Sequence, residues 1–129
     1  MVVARPLLAS VLGDGWQEVS AFPGADMERW TYQRPFELVE FPAPAHYVVL
    51  AEYVTTDDGT GLVHQAPAFG ASDLEACQAY GLPIVKPVLG NGHFADDIPL
   101  VGGQFFKHAD NDLVKELERT GLLFRHVAF

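Results

Sequence analysis

The chain has 129 residues, enough for one domain with a buried core, and its 49% hydrophobic and 19% charged residues are those of an ordinary globular protein. No apolar run approaches the ~20 residues a bilayer span requires, and no apolar leader with a cleavage site follows Met1, which excludes a membrane span and points to the cytoplasm. A net charge of −9 with only eight Lys and Arg residues argues against a protein that grips nucleic acid unaided, because sequence-independent affinity comes from cations neutralising phosphates.

In chain order, Val3, Leu7, Leu8 and Val11 recur at helical spacing and predict a short helix over Val2–Leu12, stopped by Gly13. Trp16–Phe22 alternates loosely and reads as a strand ending at the Pro23-Gly24 turn. Met27–Phe41 carries Trp30, Tyr32 and Phe36 around Pro35 and reads as short extended pieces. His46–Val54 is a β-rich run. With the Asp57-Asp58-Gly59 turn and a short strand Gly61–His64 it predicts a hairpin.

A helix over Asp73–Tyr80 follows, with Ser72 as N-cap, Glu75 completing a capping box, and Gly81 as the stop before Pro83. Pro83–Leu89 reads as a strand, Gly90-Asn91-Gly92 as a turn, about Asn111–Thr120 as a last helix ended by Gly121, and Leu122–Val127 as a closing strand. Strands outnumber helices, so the expected fold is mainly β: a barrel or folded sheet with peripheral short helices, forming a single domain over residues 1–129.

Few residues carry chemistry. Cys77 is the lone cysteine, which removes disulfides and zinc-finger spacing and suggests a small buried hydrophobe. The histidines His46, His93, His108 and His126 are scattered without metal-ligand spacing, so neither a metal nor a cofactor is expected. Asp73, in a first helical turn, fits two roles: it stabilises the helix N-terminus, or it binds an ammonium group through charge-assisted hydrogen bonds. His64 closes an apolar strand as a ligand, a base, a steric wall or a hydrogen-bonded core histidine. Thr60, Gly61, Pro67 and Gly70 either bring backbone close to a ligand or form turns alone.

The run Thr56-Asp57-Asp58-Gly59-Thr60-Gly61-Leu62-Val63-His64, then Ala66-Pro67-Ala68-Phe69-Gly70, Asp73 and Tyr80-Gly81-Leu82-Pro83, resembles class I aminoacyl-tRNA synthetase editing domains, those of the isoleucyl branch above all. His46-Tyr47-Val48-Val49 and the stretch from Gly102 to Leu123 also resemble that family. The resemblance implies a barrel-like domain hydrolysing mischarged Val-tRNA(Ile). It gives Asp73 as the catalytic residue that holds the substrate's α-amino group, and His64 as the group excluding isoleucine. Thr60, Gly61 and Gly70 join them as substrate-binding residues. It implies as partners the tRNA(Ile) 3′ end, misactivated valine and the rest of the synthetase. The family's threonine-rich peptide has no counterpart before Val2, and the His-Ile-Gly-His and Lys-Met-Ser-Lys-Ser signatures are missing. The chain is therefore expected to be a portion of a larger enzyme, the later half of its editing domain; the alternative is a catalytically incomplete module that only binds the aminoacylated 3′ end.

Overall fold

The computed structural model describes residues 1–127, which form two compact units. The first is built from Met1–Thr31 and Ala45–Leu82, the second from Tyr32–Pro44 and the stretch from Pro83 on.

In the first unit Pro6 opens a 3-10 turn, Arg5–Leu7, that runs into α1, Leu8–Leu12. Helix thus begins at Arg5 rather than Val2. Gly13 then ends it at φ 69, a conformation glycine adopts without a Cβ penalty. Trp16–Phe22 has no ladder partner, and Val19 is 94% exposed. The Arg5 guanidinium, bidentate on the Glu18 carboxylate at 2.7 and 3.2 Å, and the Phe22 ring, 5.1 Å from that of Trp30, help to tie this segment to the rest of the unit. A 3-10 turn, Gly24–Met27, leads into the one antiparallel bridge of this unit, Thr31 with Tyr47. Arg29 N–H donates to Val48 O and Val48 N–H to Trp30 O, both at 2.9 Å.

The expected hairpin is therefore absent. The run after His46 pairs with Arg29–Thr31, while Gly59 and Gly61, at φ 59 and 76, turn the other arm toward the N-terminus. There Ala4 N–H donates to Thr60 O at 2.8 Å. α2, Ala71–Ala79, carries the expected helix two residues early at its start. Leu82 N–H returns to Cys77 O at 3.0 Å around Gly81, at φ 68, which satisfies a carbonyl the helix end would otherwise leave open.

In the second unit the Gly90-Asn91-Gly92 turn brings Val88 against Phe94, and His93 bridges Phe105. Leu89 N–H donates to His93 O at 2.8 Å and Phe94 N–H to Gln104 O at 2.9 Å. Gly102 is packed so closely that a Cβ would run into the carbonyl oxygens of Asp96 and Ile98. α3, Phe106–Arg119, starts five residues before the expected Asn111 and buries Ala109. Leu113 and Leu117 follow Ala109 at intervals of four, one face of a helix. No strand forms over Leu122–Val127.

The mainly β, barrel-like expectation is thus corrected: among the described residues helix makes up 28% and the bridging residues 5%, and no sheet forms. A two-residue alternation needs a neighbouring strand to become a sheet, and the segments that alternate here have none. The core is correspondingly thin, with Leu7, Cys77, Val101 and Ala109 its buried apolar residues among those described. The exposed surface is 9472 Å². A single globule of this mass exposes about 6,700 Å², and two separate globules of half the mass about 8,100 Å². The exposed surface exceeds both, and large hydrophobic side chains such as Val19, Val63 and Phe69 are among what is exposed.

Candidate functional site

The loop Ala66–Gly70 and the start of α2 form the best-defined polar cluster of the first unit. Ala66 is pinned through both its backbone groups. Its carbonyl accepts from the N–H of Phe69 at 2.9 Å and of Gly70 at 3.1 Å, and its N–H donates to Asp73 Oδ2 at 2.9 Å. Gly70, not Ser72, is the N-cap residue, and no side chain caps the helix. The expected capping box is replaced by a reach in the other direction: Asp73, third residue of α2, folds back over the loop. A carboxylate in that turn also faces the free N–H groups of the helix start.

Gly70 is glycine for this reason. Its backbone is extended, at φ −127, so left-handed freedom is not at issue. A Cβ there would lie 2.7 Å from Asp73 Oδ2 and 3.0 Å from its Cγ. Asp73 Oδ1 accepts in turn from the Tyr53 hydroxyl at 3.4 Å, and the Tyr53 oxygen accepts from Gln65 Nε2. Asp73 is half-buried, with one hydrogen bond to each carboxylate oxygen.

The other candidate residues are placed differently. Gly61 lies back to back with Ala4, whose Cβ a side chain at position 61 would strike. The Thr60 hydroxyl is engaged locally, donating to Leu62 O at 3.1 Å and accepting from Leu62 N–H at 3.3 Å. His64 is exposed on the strandless segment before the loop. Of the five, the structure brings Gly70 and Asp73 into direct contact. Cys77, one turn below Asp73, is 1% exposed, and burial first, then the nearby Asp73 carboxylate, push its thiol up. That is the reverse of what a thiolate nucleophile requires.

Three residues escaped the sequence reading. Tyr53 sits in an apolar-looking run and Gln65 between His64 and Ala66, with no local pattern to mark either. Arg29 adopts φ 66, rare for a residue with a side chain. Its guanidinium lies 4.9 Å from the Tyr47 ring centre and 4.8 Å from that of Tyr80, and donates to the Tyr47 hydroxyl at 2.9 Å. Tyr80 completes the cluster. Its hydroxyl donates to Glu28 Oε1 at 2.7 Å and accepts from Leu50 N–H at 3.1 Å.

No group of three His, Cys, Asp or Glu side chains among the described residues is placed to hold a metal ion. A hollow of about 410 Å³ in the second unit is lined in part by Glu37, Glu40 and Asp97 and by none of the candidate residues. Among the described residues no helix is long and apolar enough to cross a membrane.

No family model matches the chain. Comparison with curated proteins does find relatives, and the class they define is the aminoacyl-tRNA synthetases. Within it the chain matches isoleucine–tRNA ligase: it is 65% identical to that of Streptomyces coelicolor over 130 residues, 60% identical to that of Thermobifida fusca and 36% identical to that of Thermus thermophilus. In each the match covers 100% of this chain and 12% of the relative. The chain thus spans about an eighth of the length of the ligases it matches, as a domain-sized segment of them.

Proposed function

We infer that the chain is part of the editing domain of an isoleucyl-tRNA synthetase and hydrolyses Val-tRNA(Ile). The observation that carries this reading is the half-buried Asp73 carboxylate, fixed by the Ala66 N–H on one oxygen and by Tyr53 on the other, each oxygen keeping a further lone pair with which to accept from a cation. In the proposed reaction the substrate's α-ammonium binds Asp73, water adds to the ester carbonyl, and the ester C–O bond breaks with the proton passing to the released tRNA hydroxyl. Asp73 contributes orientation, which in favourable cases supplies about 7–11 kcal/mol of a barrier. To His64, exposed two residues before the loop, we assign the role of limiting the side chain admitted. Thr60 and Gly61 fix the fold of the approach, and Gly70 leaves the room Asp73 occupies.

A hydrolytic site distinct from the synthetic one answers a chemical need. The isoleucyl enzymes are themselves the standard illustration that a pocket separates side chains differing by one methylene by only about 1–3 kcal/mol. Water is the sole co-reactant, so we assign no cofactor. The partners we assign are the aminoacylated 3′ end of tRNA(Ile) and the remainder of the synthetase, and the setting is the cytoplasm. The eight cations of this chain leave the grip on tRNA to other domains. The exposed large hydrophobics of this chain, Val19, Val63 and Phe69 among them, support the second partner, since a neighbouring domain covers such side chains.

The test is Asp73→Asn and Asp73→Ala in the complete synthetase. Asparagine keeps an acceptor for the Ala66 N–H but loses the charge, and hydrogen bonds to charged groups contribute about 1.5–3 kcal/mol against roughly 0.5–1.5 for neutral ones. Both variants are expected to lose most Val-tRNA(Ile) deacylation while activating isoleucine normally. Parent-rate deacylation by Asp73→Asn would leave Asp73 as a helix-end residue and defeat the reading.

A further inference from the structure

Gln65 carries the one buried side-chain oxygen or nitrogen without a hydrogen-bond partner among the described residues, its Oε1. Buried polar atoms are paired as a rule, so an exception asks for a reason. The reason lies at the other end of the amide. The Asp73 carboxylate only accepts, so the Tyr53 proton points to Oδ1; the Tyr53 oxygen must then accept, and Gln65 turns its Nε2 toward it. Flipping the amide would give Tyr53 a second claim on its single proton and draw it away from Asp73. Gln65 leaves its own oxygen unpartnered so that the row of donors runs one way, from Gln65 through Tyr53 to Asp73.

The geometry points to Tyr53 and Gln65 as positioning residues for the ammonium site, aiming the Asp73 carboxylate at the substrate's α-amino group. This inference rests on the ester-hydrolase reading above. Oδ2 is held from within the loop by Ala66, and Oδ1 from outside it by Tyr53, a residue 44% exposed and twenty positions earlier in the chain. Two anchors on different segments fix the carboxylate plane, where one would leave it free to rotate. Donors in series also polarise one another, so Gln65 strengthens a hydrogen bond it does not itself make.

Substrates that differ only in the α substituent test the idea: valyl-tRNA(Ile), and the matching ester in which a hydroxyl replaces the ammonium. The ratio of their kcat/KM values in the complete synthetase reports how well the ammonium is recognised, and a general loss of fold lowers both rates without moving it. Tyr53→Phe removes one hydroxyl, and Gln65→Met removes the donor at similar volume. Tyr53→Phe is expected to reduce the preference for the ammonium ester about tenfold, the size of one hydrogen bond to a charged group, and Gln65→Met, which acts through the neutral Tyr53 hydroxyl, about threefold. Asp73→Ala is expected to abolish the preference. If Asp73→Ala abolishes it and the Tyr53 and Gln65 variants leave it intact, the positioning role is overturned and the hydrolase reading stands. If Asp73→Ala leaves the preference intact, the ammonium site fails, and the roles of Tyr53 and Gln65 fail with it.

Discussion

Adding one methyl group at Gly70 isolates what the Asp73 carboxylate contributes to the fold. In Gly70→Ala the new Cβ would lie 2.7 Å from Asp73 Oδ2, well inside van der Waals contact, and at φ −127 the backbone accepts alanine without strain. The side chain yields, not the helix. Moving the carboxylate breaks its hydrogen bond from the Ala66 N–H at 2.9 Å, worth about 1.5–3 kcal/mol for a charged acceptor; partial exposure of Asp73 places the loss near the lower end. Alanine is the poorer N-cap by roughly 0.5–1 kcal/mol, but it restricts the unfolded chain by about as much, and these two effects offset each other. The expected destabilisation is therefore about 1.5 kcal/mol. Urea unfolding followed by the fluorescence of Trp16 and Trp30, both in the unit that carries the loop, measures it. The decisive comparison is Gly70→Ala in an Asp73→Ala background, where the obstructing carboxylate is gone and the substitution should be nearly neutral. Equal losses in the two backgrounds, within about 0.5 kcal/mol, would show that the two residues do not interact.

Arg29→Ala should destabilise more than Arg29→Gly by about 1 kcal/mol, because both lose the tyrosine stacking while only glycine is at ease at φ 66; equal losses by chemical denaturation would remove backbone strain from the account. The Gln104 side-chain amide, and then Lys115, hold the Asp112 carboxyl below its usual range. Its stabilising effect is present above the unfolded-state value and disappears as pH falls through the lower folded-state one. Thermal midpoints of the parent and Asp112→Asn should therefore differ at neutral pH and converge in acid, and a gap that persists under acid conditions would contradict this. His64→Ala in the complete synthetase should admit isoleucine and hydrolyse Ile-tRNA(Ile), with valine hydrolysis partly kept; loss of both activities without that gain would favour a base or a structural role.

The two longer helices were legible because their signals are local. Gly81 and Gly121 stop α2 and α3 at positive φ where the sequence places a stop. Their starts were less so. Ser72 has the chemistry of an N-cap, but the cap passes to Gly70 once Asp73 folds back over it, a choice made by contact rather than composition. Strand pairing was not legible. Alternation at Trp16–Phe22 describes a face and names no partner, and His46–Val54 found Thr31 where the nearer Gly61–His64 seemed the obvious match. Gly61, read as the start of a strand and as either a turn or a close approach to a ligand, lies at φ 76 outside any strand, and its neighbour Ala4 lies at the far end of the unit's sequence. Asp73 stood out by position in a first turn; Tyr53 and Gln65 reach it from segments that carry no mark of it.

α2 is gripped at both ends. At its start the Asp73 carboxylate is tied to Ala66 and Tyr53; just past its end the Tyr80 ring rests on Arg29, with its hydroxyl tied to Glu28 and Leu50. Nine residues of helix amount to a rod of about 13 Å, or about two and a half turns, which is all that separates the two clamps. The Arg29 sandwich is thus the far bearing of the helix that carries Asp73, so a residue at the opposite end of α2 from the Ala66–Gly70 loop shares in fixing the element on which that carboxylate sits.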